Sequence, residues 1–327
     1  MPGSIRLEVS DQLDESDVHA VAILVERAAE TQGVRPLSEH VMMHLLRGGG
    51  HHQTHVCAWR DESLIGYDHL DRSDPSSPPS AELAIDYRKA AGTDVGGALL
   101  DQLLIEATGR LQLWCLGART AGAAVAESRD FTLRRTLYRM RRPLGGQLPS
   151  APLPDGMAVR TFDPGRDSDD WLDLNARAFA ELPDQGGWKR EDLERRLAAK
   201  WFDPDGFLLA HELSEDGTEG RLAGFHWTKI HGESNHGHKA IGEVYVLGVD
   251  PELRARGLGR ALTIRGLQYL QSRGLAEVML YVESSNAAAI RTYERLGFRR
   301  FDTDYLYVSP GTDSHRPRAP EHSSPET

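Results

Sequence analysis

Residues 241–249, IGEVYVLGV, form an almost unbroken run of β-branched and apolar side chains, which predicts a buried strand. Just beyond it, Leu258, Ala261, Leu262, Ile264, Leu267 and Leu270 recur at helical spacing and predict a largely buried helix from about 257 to 272. The same reading places a helix in 186–200 and strands at 206–212, 221–230 and 276–283, then a helix at 286–296 and a strand at 298–308. A blurred copy of this order precedes it: LIGYDHL (64–70) answers LAGFHWTKI (222–230), and AELAIDYRKAAGTDVGGALLDQLL (81–104) answers GEVYVLGVDPELRARGLGRALTIRGLQYL (242–270). Each half reads as helical segments, a strand pair across a polar turn, a further strand, a Gly-containing loop, a helix, a strand, a helix and a closing strand. The expected fold class is α/β with a mixed (α+β) sheet, built twice in tandem.

The length, 327 residues, agrees with two domains of ordinary size. The stretch RRPLGGQLPSAPLPDGM lacks an apolar period, so the expected limits are a first domain 1–141, a linker 142–157, a second domain 158–308 and a disordered tail 309–327. A net charge of −11 argues against a nucleic-acid or anionic-membrane surface, so an anionic ligand must be handled locally. Cys57 and Cys115 are far apart and lack metal-knuckle spacing. The first residues, MPGSIRLEVSDQLDESD, are polar and acidic where a secretory leader needs a basic start and an apolar stretch, so a soluble cytoplasmic protein is expected. Histidines in MHLLRGGGHHQTH (43–55) have irregular spacing across a Gly loop and read as a solvated loop; no metal is expected.

Positive charge does gather at one place, VDPELRARGLGRAL (249–262). Gly257 and Gly259 fall where the loop becomes the helix, and a helix start offers unpaired N–H groups and a positive dipole end to a phosphate. A Walker loop is excluded because no Lys-Ser or Lys-Thr follows the glycines, and a dinucleotide fingerprint fails because residue 262 is Leu. A Gly-rich turn with solvated arginines remains the plain structural alternative.

The surviving pattern, Arg254-x-x-Gly257-x-Gly259, resembles the acetyl-CoA loop of the GCN5-related N-acetyltransferases (GNAT), and YVESSNAAAIRTYERLGF (281–298) resembles that family's second motif. The resemblance implies acetyl-CoA as co-substrate. Leu247, Gly248 and Val249 would hold the thioester by backbone N–H groups. The pyrophosphate would fall to Arg254, Ala255, Arg256, Gly257, Leu258, Gly259 and Arg260, with Asn286, Ala287, Ala288, Ala289, Ile290 and Arg291 completing the cofactor site. Glu243 is the expected base for the amine, and period-2 alternation sets it on one face with Val249. Tyr293 is the expected acid for the leaving thiolate. A salt-bridged edge glutamate and a core tyrosine are the alternatives to these two roles.

NARAFAELPDQGGW (175–188), WFDPDGFLLA (201–210), GFHWTKIHGES (224–234) and IGEVYVLGVDP (241–251) resemble the tandem-domain mycothiol synthases of actinobacteria. That resemblance implies acetyl transfer to the cysteinyl amine of a cysteinyl glucosaminyl-inositol, with Glu39, Asp184, Lys229, Glu243 and Tyr281 facing this substrate. Charged acceptors and donors suit an ammonium and a polyol. No nucleic acid, membrane or second subunit is expected as partner. In the first half the arginines dwindle to Arg88 and no Asn-to-Tyr helix motif survives. Chemistry is therefore expected in the second domain. Leu83, Ala84 and Ile85 could still hold a CoA, Glu82 is the repeat's counterpart of Glu243, and Glu39 would serve the other domain's site. Another amine, a protein N-terminus or an aminoglycoside, and a non-catalytic acyl-CoA sensor remain as alternatives.

Overall fold

The strand–loop–helix unit predicted around residue 250 is present: β10 (Ile241–Val249) runs through a short turn into α7 (Leu258–Ser272), which crosses back to β11 (Glu277–Glu283) lying parallel to β10. A parallel pair needs such a crossover, and the apolar stripe of α7 packs it on the sheet through Leu258, Leu262, Leu267 and Leu270, all buried. The computed structural model describes residues 4–310 apart from 33, 39–40, 43–44, 46–51, 74–76, 118–120, 233–239 and 255.

Two units divide the chain, one of residues 1–137 with 302–327, the other of 138–301. The first is a sheet in the order β1 (Ile5–Ser10), β2 (Gln53–Arg60), β3 (Ser63–Asp71), β4 (Ser80–Ile85), β5 (Gln112–Cys115), joined at β5 by residues 305–308 of β12 (Arg299–Val308). Its helices include α1 (Glu15–Gln32), α2 (Val95–Ala107) and α3 (Ala121–Ser128). α2 links β4 to its parallel neighbour β5. Leu99, Leu100 and Leu103 on α2 bury against one sheet face, and Val21, Leu24 and Val25 on α1 against the other. The strand β6 (Thr132–Pro143) then leads out of this unit.

In the second unit the order is β11, β10, β9 (Glu219–His231), β8 (Phe207–Leu213), β7 (Met157–Thr161). Helices α4 (Pro164–Ala178), α5 (Pro183–Gly186) and α6 (Arg190–Leu197) precede β8, and α8 (Ala287–Arg295) follows β11. Trp171, Leu174 and Leu193 of α4 and α6 are buried with Phe207, Phe225 and Trp227 of the sheet.

Two readings of the sequence need correction. Each half opens on a strand, β1 or β7, rather than on helices; both strands are short and half-buried, so their apolar alternation is faint. His55 is no solvated loop residue: it lies on β2, 1 % exposed, with Nδ1 2.7 Å from the Tyr67 hydroxyl. Most of the segment before it, 43–44 and 46–51, lies outside the described residues. The Pro/Gly-rich stretch, read as a linker, packs on the second unit: Leu144 and Leu148 are buried there, and the Leu144 N–H donates to the Ala276 carbonyl at 2.8 Å. In contact terms residues 302–308 belong with the first unit, because β12 completes its sheet.

Candidate active site

β10 and β11 pair only over residues 242–244 and 278–280, and from there β10 continues beside β9 alone. The Asp250 N–H donates to the Ala223 carbonyl of β9 at 2.9 Å. Backbone alternation therefore turns the N–H groups of Val249 and Leu247 the other way, into the opening that β11 has left. These are donors that a bound carbonyl oxygen can use.

The opening leads to the start of α7. Gly257 sits there with φ +87°, a left-handed conformation that suits glycine, and the helix has no side-chain cap. A Cβ on Gly257 would meet nothing within 4 Å, so the backbone lies bare. Of the loop arginines, Arg254 donates to the Ala178 carbonyl at 2.9 Å and Arg260 to the Ser150 carbonyl at 3.3 Å. Arg256 is exposed and hydrogen-bonds to none of the described residues. Uncapped N–H groups, a dipole end and a disengaged guanidinium form a site chemically fitted to a phosphate. Ala255 is outside the described residues.

α8 opens as the sequence predicts: Asn286 caps it by accepting from the Ala289 N–H at 3.1 Å, and Gly297 ends it with φ +86°. Ala287 and Ala288 are exposed, and Ile290 is half-buried. Tyr293, one turn further, is buried against Phe298, ring centroids 5.7 Å apart. Burial pushes its phenol up to about 12, which keeps it protonated at neutral pH.

Glu243 stands elsewhere than the alternation argument put it. β10 carries a bulge between Val244 and Val246, where Tyr245 has no partner on β9. One extra residue reverses the phase of the strand. Val249 thus turns to the α7 side with Leu258 and Leu262, whereas Glu243, opposite Lys229, is on the face of Trp227.

That face gathers the expected substrate residues of the second unit. Glu243 is 6 % exposed and registers with Lys229 on β9 and Met279 on β11; Tyr281, two residues beyond Met279, shares the face and is 44 % exposed. The Lys229 ammonium lies 5.1 Å from the Trp201 ring centre and 5.6 Å from that of Tyr245. Trp201 and Tyr245 meet edge-on at 5.1 Å, and the Tyr245 hydroxyl accepts from Arg196 at 3.0 Å. Arg196 in turn covers Trp188 at 3.7 Å. The Nε2 of His231 is 2.7 Å from the Glu243 carboxylate. Asp184 is in α5, but its side chain is outside the described residues, as is Glu39 altogether.

The sequence reading missed His231, Trp188, Trp201, Tyr245 and Arg196. His231 was within reach: pairing Lys229 with Glu243 across the 232–240 connection puts His231 diagonal to the glutamate. The aromatic residues come from the segments before and after α6 and from a bulge, which no periodicity ties together.

In the first unit, β4 parts from β5 after Glu82, and the Asp86 N–H donates to the Ile65 carbonyl at 3.0 Å, so Leu83 and Ile85 present N–H groups as Leu247 and Val249 do. Glu82 is on the α1 face, its carboxylate accepting from the Ser38 N–H at 2.6 Å, and burial pushes it up to about 7. At the start of α2, however, Asp94 caps the helix from within, accepting from the Gly97 N–H at 3.1 Å and pairing with Arg129 at 2.8 Å.

Residues 169–298 match the model of the acetyltransferase (GNAT) family. The mycothiol acetyltransferase of Acidothermus cellulolyticus is 49% identical over 326 residues, covering 95% of this chain and 97% of the relative. The chain belongs to the mycothiol acetyltransferase family. Another member, from Streptosporangium roseum, is 46% identical over 92% of this chain and 98% of its own length. Among solved structures, a GCN5-related N-acetyltransferase from Sphaerobacter thermophilus superimposes with TM-score 0.75 at 22% identity, covering 93% of this chain and 96% of that one. A tandem GNAT protein from the clavulanic acid biosynthesis pathway gives TM-score 0.65 at 18% identity over 93% and 98% of the two chains. The fold is thus the tandem GNAT architecture within which the mycothiol acetyltransferase family is built. Among the described residues no cluster of three or more His, Cys, Asp or Glu could hold a metal, and no helix is long and apolar enough to cross a membrane.

Proposed function

We propose that this chain transfers the acetyl group of acetyl-CoA to the cysteinyl amine of a cysteinyl glucosaminyl-inositol, giving mycothiol, with the chemistry in the second unit. The observation that carries this reading is the 49% identity to a mycothiol acetyltransferase along 95% of the chain. The bare α7 start, the N–H groups turned into the β10–β11 opening and the protonated Tyr293 support acetyl-CoA as donor; when bound it supplies the acetyl thioester.

The chain's own residues then have distinct tasks. Leu247 and Val249 donate N–H groups toward the oxygen on which negative charge develops. Gly257, Leu258 and Gly259 present helix-start N–H groups to phosphate, with Arg256 adding charge and Arg254 and Arg260 flanking. Asn286, Ala287, Ala288, Ala289, Ile290 and Arg291 form the further wall of the cofactor site. Glu243 takes a proton from the substrate ammonium, through water, to leave a neutral nucleophile. Tyr293 gives a proton to the departing sulfur. Lys229, Tyr281 and Asp184 meet the polyol and the amine, and the rings of Trp201 and Tyr245 offer apolar faces to a saturated ring. Leu83 and Ile85 of the first unit keep the matching backbone N–H groups, but the Asp94 cap fills the helix start where a phosphate would sit, so the CoA that reacts is held in the second unit. We further infer a cytoplasmic monomer.

The test is a panel of amines with acetyl-CoA, read as release of free CoA thiol. Turnover is expected with the cysteinyl pseudodisaccharide; turnover confined to a peptide N-terminus or an aminoglycoside overturns the reading.

A further inference from the structure

Glu243 is poorly placed to act alone. It is held on a strand with 6 % exposure, where a carboxylate cut off from water needs a hydrogen-bond donor. A base on a flexible side chain must also present one oxygen steadily to the substrate. Among the described residues one side chain meets both demands: the Nε2 of His231 is 2.7 Å from Glu243 Oε2, in a pair whose side chains are 12 % and 8 % exposed.

The chemistry fixes the direction of this bond. An ionised carboxylate can only accept, so the imidazole donates its Nε2–H. Oε2 is thereby engaged and Oε1 is left for the amine or its bridging water. The β-sheet makes the geometry stiff, because His231 ends β9 opposite Ile241, which puts it diagonal to Glu243 on the same face. Among the described residues, the other charged or titratable groups facing the pair are Lys229 on β9, Tyr281 on β11 and Tyr245 at the bulge with its Arg196 from α6. Tyr245 meets Lys229 and Arg196, neither of which is hydrogen-bonded to the carboxylate among the described contacts.

We propose that His231 is the positioning residue of the catalytic base: its Nε2–H fixes Oε2 of Glu243 and aims Oε1 at the substrate. This rests on the role given above to Glu243. In the step it serves, an N–H bond of the substrate ammonium breaks, an O–H bond forms on Oε1, and the His231 proton stays on Nε2.

The experiment measures kcat and KM for the wild type, His231→Ala and His231→Gln, with whichever amine the panel accepts. For His231→Ala, kcat falls about tenfold or more, as loss of a hydrogen bond to a charged group implies. The KM for acetyl-CoA is unchanged. His231→Gln, which keeps an N–H near the same point but cannot titrate, restores most of kcat. An alanine variant with wild-type kcat overturns the proposal, and so does a glutamine variant as impaired as alanine at equal melting temperature. Absence of wild-type turnover with the cysteinyl amine is a separate failure, which sinks the choice of substrate and leaves the pair to be judged on the accepted amine.

Discussion

The two units build the same strand–loop–helix corner and finish it in opposite ways. In the second, α7 begins at a left-handed glycine with no cap, and the disengaged Arg256 lies in the loop before it. In the first, α2 begins at Asp94, whose carboxylate already takes the Gly97 N–H and the Arg129 guanidinium. A Cβ added to Gly97 would collide with both that guanidinium and the carboxylate, so the corner is filled by the protein's own ion pair. One helix start is kept ready for an external anion; the other has supplied an internal one. A repeat can thus lose an anion site without losing its fold, because an N-cap satisfies the same orphan N–H groups that a phosphate would.

The sharpest way to break the comparison is at the carboxylates. Glu243→Gln should lower kcat by about 10² to 10⁴, the usual worth of a general base, with acetyl-CoA affinity retained. Glu82→Gln should leave kcat unchanged, since glutamine still accepts from the Ser38 N–H; equal losses in both variants would show that catalysis is shared between the units.

Acid should separate the units next. His226, fully buried in the second unit with Nδ1 2.9 Å from the Leu262 carbonyl, is held down to about 4 by burial. Its unfolded form binds a proton first, so stability falls as pH drops through about 6.5 and the loss levels off near 4, amounting to about 3 kcal/mol at most. His55 does the same in the first unit. There, however, burial raises Glu82 to about 7 and Asp68 well above its usual range. Both bind protons more readily when folded, so their contribution grows as pH falls and offsets that of His55. Hydrogen exchange between pH 7 and 4 should therefore find the second unit opening first; protection lost equally in both would contradict this.

Arg256→Ala should weaken acetyl-CoA binding about tenfold and flatten its salt dependence, whereas Arg88→Ala in the first unit should change neither. Titrations at low and high salt read both. Smallest of all, Asp94→Ala should cost about 1 kcal/mol of stability through loss of a cap, measured by denaturant titration. No side-chain cap exists at Gly257 to remove.

Much of this was legible in the sequence. The buried strand, the helix from Leu258, the Asn286 cap and the Gly297 stop are local features with local causes, and the structure has each of them. The bulge at Tyr245 was not legible, because a single extra residue in an apolar strand leaves no mark on composition, yet it decides which face Glu243 occupies. The cap at Asp94 was readable as an acid before a helix, but its pairing with Arg129 depends on a contact 35 residues away. The ring cluster around Lys229 draws on the loop after α6 and two strands, a convergence that only the tertiary fold creates.

The end of the chain has a consequence for how the protein is made. Tyr305–Val308 supply the strand beside β5, and Ser309 exchanges hydrogen bonds with Leu111. A ribosome that has already released the whole first half has not yet delivered the strand which closes its sheet. The first unit to be translated must wait, with β5 uncovered, until Tyr305–Val308 emerge, so a stop codon at position 302 should damage the N-terminal unit, although the second unit has by then been delivered.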